Sequence, residues 1–404
     1  MFLQQKNNRL AIVLAVSGGL FYGMNFSVLA EVLPLFRMEA GFSNRTLSLL
    51  SACFAAGGIL SLVLGGFVVD RIGRKSALWL GSWLFSVATL VIVWSPYTLH
   101  FVCCGRLAQG VGGGLIGLVL PIYLMETTVS DERARRIALF QFSMGMGAVL
   151  GACGGGLANA LFESFTVVRL TFLQMLVPVV VFGAGLLRAL DSPVRVASAS
   201  SWKFHGLGRP FLFVLAVMML TQAVGPGPIQ AYTVDVLNRA GLSVVQANAV
   251  DMGMRVTGLT GGFLAILVVK RIGAESLLCR ALVGLAFVLF AVALVVWLGQ
   301  VGIVPQGIPL ALMLAIGLVA AMGIFNLGPG ACVWTVVAEV LPADVRAKGM
   351  SLALLANSAI CAVNVAAFLP VMSAVGTAPI LGFFGFAALL YAGLVRRCRV
   401  SRMV

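Results

Sequence analysis

Twelve stretches of this chain are each roughly twenty or more residues long and nearly free of charge, and that alone removes most folds from consideration. A bilayer core about 30 Å thick is crossed by about 20 apolar residues in a helix. Each backbone polar group at that depth must be satisfied within the segment, so runs of this length can span only as helices. Breaking the runs at charge, Pro and Gly clusters places spans 1 to 6 at residues 10–35, 46–69, 77–95, 100–125, 137–162 and 166–188. Spans 7 to 12 fall at 210–236, 245–269, 276–298, 307–338, 349–371 and 378–395. A mean hydropathy of +1.07, with 61% hydrophobic and only 10% charged residues, excludes a soluble domain of this size. The expected fold class is all-α integral membrane, with twelve transmembrane helices.

The first apolar run has no small-residue cleavage site after it and reads as a retained span. The net charge of +14 lies in short clusters between spans, without the continuous basic stripe or stacking aromatics of a nucleic-acid binder. Those clusters report topology instead. Lys6, Arg9, Arg71, Arg74, Lys75, Arg133, Arg135, Arg136 and the tail Arg396, Arg397, Arg399 and Arg402 fall on one side, while Arg37, Arg45, Arg169 and Arg239 fall on the other. By the positive-inside rule both termini are cytoplasmic, in a plasma (inner) membrane. The cysteines, such as Cys53, Cys103, Cys104 and Cys361, lie mostly in apolar runs with no paired ligand spacing, so packing is their expected role and no metal site or cofactor is expected.

One polar interruption is long. Residues 191–208, with SASASSW inside, read as a cytoplasmic linker between an N-terminal six-helix bundle, 1–190, and a C-terminal one, 209–404. The halves repeat each other: DRIGRK at 70–75 recurs as KRIGAE at 270–275, and Glu126 and Glu339 are each followed seven residues later by Arg-Ala, at Arg133 and Arg346. Two pseudo-symmetric bundles in a membrane imply a solute site at their interface, with the halves rocking about it.

GGFVVDRIGRK, 65–75, sets Asp70 among Arg71, Arg74 and Lys75 in the turn after span 2, with Gly66 allowing close helix approach and Gly73 a tight turn. A positive-inside loop needs only the cations, so Asp70 suggests an ionic latch. The loop resembles the signature of the major facilitator superfamily, G-x-x-x-D-R-x-G-R-K/R. Further motifs resemble its sugar-porter branch. G-R-x3-G begins at Gly105, P-x-Y-x2-E at Pro121, and Arg133 is followed eight residues on by Gln141; Trp334, Glu339, Pro342, Arg346, Gly349 and Asn357 complete the C-terminal pattern, and DSPVR at 191–195 is a reduced linker motif.

The resemblance implies a transporter fold in which Glu126 with Arg133 and Glu339 with Arg346 join Arg71 and Arg74 in a cytoplasmic ion-pair network that holds the outward-open state. It also implies that Gln141, Gln222, Trp334 and Asn357 contact solute hydroxyls, for which an amide offers both a donor and an acceptor. Departures are plain. Gly227 and Gly258 stand where sugar porters place asparagines, Ser358 where an aromatic often stands, and the C-terminal P-E-T-K-G motif is absent.

Asn25 lies halfway along span 1, where proton-coupled sugar porters carry Asp and facilitative ones Asn; the arginine that partners the Asp is present as Arg106. An amide cannot cycle a proton, which favours uncoupled transport. Glu31 and the i, i+4 pair Asp251 and Arg255 keep two other readings open: a coupling site, or a carboxylate clamp built from Arg106 and Arg255. Glu31 and Asp251 lie near the outer ends of their spans, where a solvated vestibule and a proton site are both open. GAVLGACGG, 147–155, resembles the drug-antiporter pattern of span 5 except for Ala152 in place of Pro, and such spacing also serves helix packing. LGPGACVW in span 10 has the Gly and Pro of a broken helix.

The sequence therefore points to a secondary transporter of a small hydroxylated solute, sugar or polyol-like, with an organic-anion carrier or a proton-coupled drug or metabolite antiporter as alternatives. The expected partners are that solute and the lipid bilayer, with a monomeric functional unit. His100 and His205 fall in opposite loops and no nucleophile and base share a spacing, so an enzyme is not expected.

Overall fold

The structure, a computed structural model, describes residues 2–94, 96, 98–128, 130–189, 208–340 and 346–401. The chain divides into two compact units, Met1–Ser201 and Trp202–Val404. The first holds α1 (Phe2–Met38), α2 (Asn44–Ile72), α3 (Arg74–Trp94), α4 (Leu99–Thr127), α5 (Ser130–Leu161), α6 (Phe165–Leu173) and α7 (Leu176–Arg188). The second holds α8 (Gly208–Ala223), α9 (Pro226–Arg239), α10 (Val244–Ile272), α11 (Ala274–Gln300), α12 (Ile308–Leu327), α13 (Pro329–Val340), α14 (Arg346–Val375) and α15 (Thr377–Ser401). These helices supply twelve candidate membrane spans among the described residues, in agreement with the twelve apolar runs. The 191–208 linker lies outside the described residues except for Gly208.

Three spans are built from two helices. In span 10 the break falls at Gly328, ahead of Pro329, where the sequence places it. The breaks in spans 6 and 7 are not anticipated by apolar run length. Both follow from a proline four residues on: Pro178 and Pro228 cannot donate to the carbonyls of Gln174 and Val224, and their rings crowd those carbonyls. At Gly225 the chain takes φ 87°, which glycine alone adopts without strain.

The internal repeat is legible to the residue. Helices α2 and α10 are each 29 residues long and offset by 200 positions. Ser43 and Ser243 cap their N-termini by accepting from the backbone N–H of Thr46 and Gln246, at 3.3 and 3.2 Å. Gly73 and Gly273 end them at φ 83° and 79°. The tight turn expected at Gly73 is thus present, and twice.

Within each unit the helices approach closely because glycine faces backbone. A Cβ on Gly147 of α5 would lie 2.1 Å from the Leu20 carbonyl oxygen of α1, and one on Gly23 would lie 1.9 Å from the Met144 carbonyl oxygen. Gly57 of α2 meets Leu107 of α4 at 2.1 Å in the same sense, and Gly261 of α10 meets Gly323 of α12 at 2.5 Å. Lipid tails provide no hydrophobic drive between helices, so such close backbone contact is what holds them. Gly151 and Gly155 also abut α1, at Ser27 and Glu31; the small-residue stripe of span 5 is therefore a packing surface. Outward faces carry large apolar side chains such as Trp83, Leu187, Phe287 and Ile316, all more than half exposed.

Gly147→Ala is expected to cost about 1–3 kcal/mol by overpacking. Gly58→Ala meets nothing within 4 Å and should be neutral or slightly stabilising, by up to about 1 kcal/mol. Thermal melting of the two purified variants in detergent reads the difference; equal melting points would deny the close-contact account.

Candidate functional site

At the middle of the first unit, Arg106 is held by uncharged groups. Helix α4 places it at 2% exposure, and its Nη1 donates to the Asn25 Oδ1 of α1 at 2.7 Å and to the Gln109 Oε1 at 2.9 Å. Gln109 Nε2 donates onward to Thr89 Oγ1 of α3 at 2.8 Å, and that hydroxyl donates to the Phe85 carbonyl. On the other side Asn25 Nδ2 points at Met175 Sδ, 3.8 Å away, between α6 and α7. The Phe54 ring of α2 lies under the guanidinium, 4.9 Å from centroid to Cζ. One polar chain therefore ties α1, α3 and α4 together with no carboxylate in it. Gln109 and Thr89 were not singled out in the sequence, although Gln109 shares the face of α4 with Arg106 at i, i+3 spacing. Among the described residues, the acceptors that Arg106 reaches are side-chain oxygens.

Glu31 lies six residues beyond Asn25, and it is fully buried at 0% exposure. Gly155 of α5 and Thr171 of α6 close over it, and Asn159 Nδ2 donates to its backbone carbonyl at 3.1 Å. No solvated vestibule surrounds it.

At the end of this unit formed by the α2–α3 turn, Arg74 pairs with Glu126. Its Nε and Nη2 reach the two carboxylate oxygens at 3.1–3.3 Å, a forked contact across α3 and α4. The sequence motif pairs Glu126 with Arg133, whose side chain lies outside the described residues, as does that of Asp70; the packing at Gly66 lies outside them too. Arg71 is exposed. Arg136, 5% exposed, joins Glu132 at 2.7 Å, a pair that reads in sequence as mere positive-inside charge. Gln141 is exposed on α5.

In the second unit, Gln222 ends α8 just before the Gly225 break. Its carbonyl accepts from Asn364 Nδ2 of α14 at 2.7 Å. A Cβ on Gly227 would lie 3.0 Å from Cys361 Sγ and 3.9 Å from Gln222 Oε1, so the missing side chain leaves room beside that amide. Tyr232 Oη donates to the Val365 carbonyl at 2.8 Å, and its ring stacks on Phe368. Asn357 is half-buried, two turns earlier on α14. Gly258 faces another amide: its Cβ would lie 2.9 Å from Asn326 Nδ2 of α12. The side chains of Trp334, Glu339 and Arg346 lie outside the described residues.

Asp251 and Arg255 form a closed pair. Arg255 Nε and Nη2 reach Asp251 Oδ2 and Oδ1 at 2.6 and 3.2 Å, and Nη2 also reaches the Gln230 carbonyl at 3.1 Å. Asp251 is 0% exposed, so it too lies outside any vestibule. A second i, i+4 pair, Asp235 with Arg239 at 3.0 Å, lies on α9; it was missed because each residue alone reads as loop-proximal charge.

Known proteins resemble this chain over nearly its whole length. The D-xylose-proton symporter-like 1 protein of Arabidopsis thaliana is 24% identical over 384 residues, covering 81% of this chain and 74% of its own. The glucose transporter GlcP of Staphylococcus epidermidis is 23% identical over 424 residues, covering 95% and 92%. A crystal structure of a D-xylose-proton symporter superposes with a TM-score of 0.84 at 19% identity, over 96% of each chain; at that identity the likeness speaks to the fold. The family model described as Major Facilitator Superfamily matches residues 15–365. With that match added to the twelve spans, the two units and the doubled Gly73 and Gly273 turn, the chain belongs to the Major Facilitator Superfamily.

Proposed function

We propose that this protein is a secondary transporter of a small hydroxylated solute, a sugar or polyol, which it moves by alternating access without coupling to protons through α1. Support for the solute class comes from relatives named as xylose, glucose and polyol transporters, and from the amides Gln222 and Asn357 on α8 and α14, with Gln141, Trp334, Asn25 and Arg106 as the other proposed contacts. The single observation that carries the uncoupled reading is the pairing of Arg106 with Asn25. A coupling site at this depth must gain and lose a proton during the cycle. Neither an amide, nor a hydroxyl, nor an arginine does so at physiological pH. The organic-anion alternative is disfavoured by Asp251, which neutralises Arg255, and the antiporter alternative by the packing role of Gly147, Gly151 and Gly155.

The forked Arg74–Glu126 contact is the described part of the proposed cytoplasmic network, to which Gly66, Asp70, Arg71, Arg133, Glu339 and Arg346 are assigned by motif. Both termini are placed in the cytoplasm, in the plasma (inner) membrane of the cell, and the monomer is the functional unit.

Uptake of labelled D-xylose and D-glucose into proteoliposomes tests the reading. Saturable uptake that stops at equal concentrations and ignores a protonophore is expected, whereas accumulation abolished by a protonophore would reject it. Asn25→Asp places a titratable group against Arg106, and its transport should become faster with external acid, while the parent stays flat with pH.

Glu126→Gln removes the charge from the forked contact. Losing a charge-assisted bond of this kind costs about 1.5–3 kcal/mol, which would shift the balance toward the cytoplasm-open state about ten- to hundredfold. In a cysteine-free background carrying Asn357→Cys, labelling by an impermeant maleimide from outside should fall accordingly. Unchanged labelling would remove Arg74–Glu126 from the closing device.

A further inference from the structure

On the second unit, α11 and α15 pack side by side and leave a cavity of about 630 Å³ near the end where α11 begins and α15 finishes. Its deep part is apolar, with Val283 and Leu389, and Gly393 forms its α15 wall: a Cβ there would meet nothing within 4 Å. Two arginines, Arg280 of α11 and Arg396 of α15, line it nearer those helix ends, together with Glu275. Arg280 lies six residues inside α11, about 9 Å from its start at the helical rise, in an otherwise apolar span. Both arginines are exposed, and neither has an ion-pair partner among the described residues.

The exposed stripe running away from the arginines shows what bathes this face. Val283 and Phe287 continue the face of Arg280 at 53% and 74% exposure, and Phe386 and Leu389 continue that of Arg396 at 60% and 45%. Large apolar side chains so exposed on a membrane protein face acyl chains. The groove thus presents hydrocarbon at depth and guanidinium at the headgroup level, and the two arginines against Glu275 leave it net positive. That polarity matches one molecule abundant around the helices, a phospholipid with a negative headgroup, and basic pockets between spans at this level suit such headgroups. Arginine also reaches phosphate oxygens with two parallel donors.

We infer that the α11–α15 groove is a binding site for an anionic phospholipid, its phosphate held between Arg280 and Arg396 and one acyl chain lying along Gly393, Val283 and Leu389. The lipid belongs to the leaflet at the basic end of the protein, which rests on the orientation proposed above. The site is independent of the solute and of proton coupling, so transport and lipid binding can fail separately.

The test places a reporter in the groove with Val283→Trp in the full chain, reconstituted in phosphatidylcholine vesicles containing a minor fraction of phosphatidylglycerol. Either lipid is supplied with brominated acyl chains, which quench a neighbouring indole, and the signal is corrected for the native tryptophans with the unsubstituted chain. Brominated phosphatidylglycerol should quench the reporter far beyond its mole fraction, corresponding to a preference of about thirtyfold over phosphatidylcholine from two basic side chains. Adding Arg280→Gln with Arg396→Gln should abolish the preference. Gly393→Leu, which leaves the charges in place and fills the groove, should weaken quenching by both lipids. Equal quenching by the two lipids overturns the proposal, as does a preference that survives the double substitution. Displacement of the preference by inorganic phosphate alone, or shielding of the reporter from both lipids by a second copy of the chain, overturns it too.

Discussion

A guanidinium at the centre of a six-span unit, cut off from water, has to be satisfied by its neighbours, and much of the first unit is arranged to do that. Arg106 is reached by Asn25 across the α1–α4 contact, where Gly18 lets α1 close on Leu120 and Gly113 and Gly117 leave room for the Tyr22 ring, while Gly19, Gly23 and Gly147 seat α1 against α5. Larger residues there would push α1 outward and leave a buried charge short of its partner, which costs several kcal/mol. The chain of donors through Gln109 and Thr89 then fixes α3 and α4 relative to that charge. Helix packing and site chemistry are one constraint here.

That constraint shapes the functional reading. Had Asn25 been a carboxylate, the same geometry would give an ion pair able to open on protonation. As an amide it makes a hydrogen bond to the cation that protonation cannot switch, so this contact offers no proton-labile group at Arg106. Three carboxylates elsewhere close on arginines of their own helix. Asp251 closes on Arg255, Asp235 on Arg239 and Glu132 on Arg136, each one helical turn apart, an arrangement that suits ions held out of water better than open cations would.

Much of this was legible in the residues, for identifiable reasons. Apolar run length has a direct physical meaning in a bilayer, so all twelve spans were recoverable, and the DRIGRK and KRIGAE repeat located the paired Gly73 and Gly273 turns. Breaks inside spans were less visible, because Pro178 and Pro228 interrupt the hydrogen-bond ladder without altering hydrophobicity; only the Gly-Pro of span 10 stood out. Partner choice was the least legible. Arg74 and Arg133 both carry the charge that Glu126 needs, and the contact that Arg74 makes with it depends on how α3 and α4 cross, which residue counting along a span does not give. Glu31 and Asp251 look close to the outer surface when residues are counted along a span, yet Gly155 and Thr171 cover the first, and the second folds back onto Arg255.

The central claim is that solute crosses with no charge travelling through the Asn25–Arg106 contact. Proteoliposomes adsorbed on a solid-supported membrane and given a sudden jump in transported sugar measure this directly, since a proton symporter moves net positive charge with each cycle. The account predicts no sustained inward current at any pH, with uptake of label confirmed in parallel. A current that grows with sugar concentration and reverses with the proton gradient would contradict it.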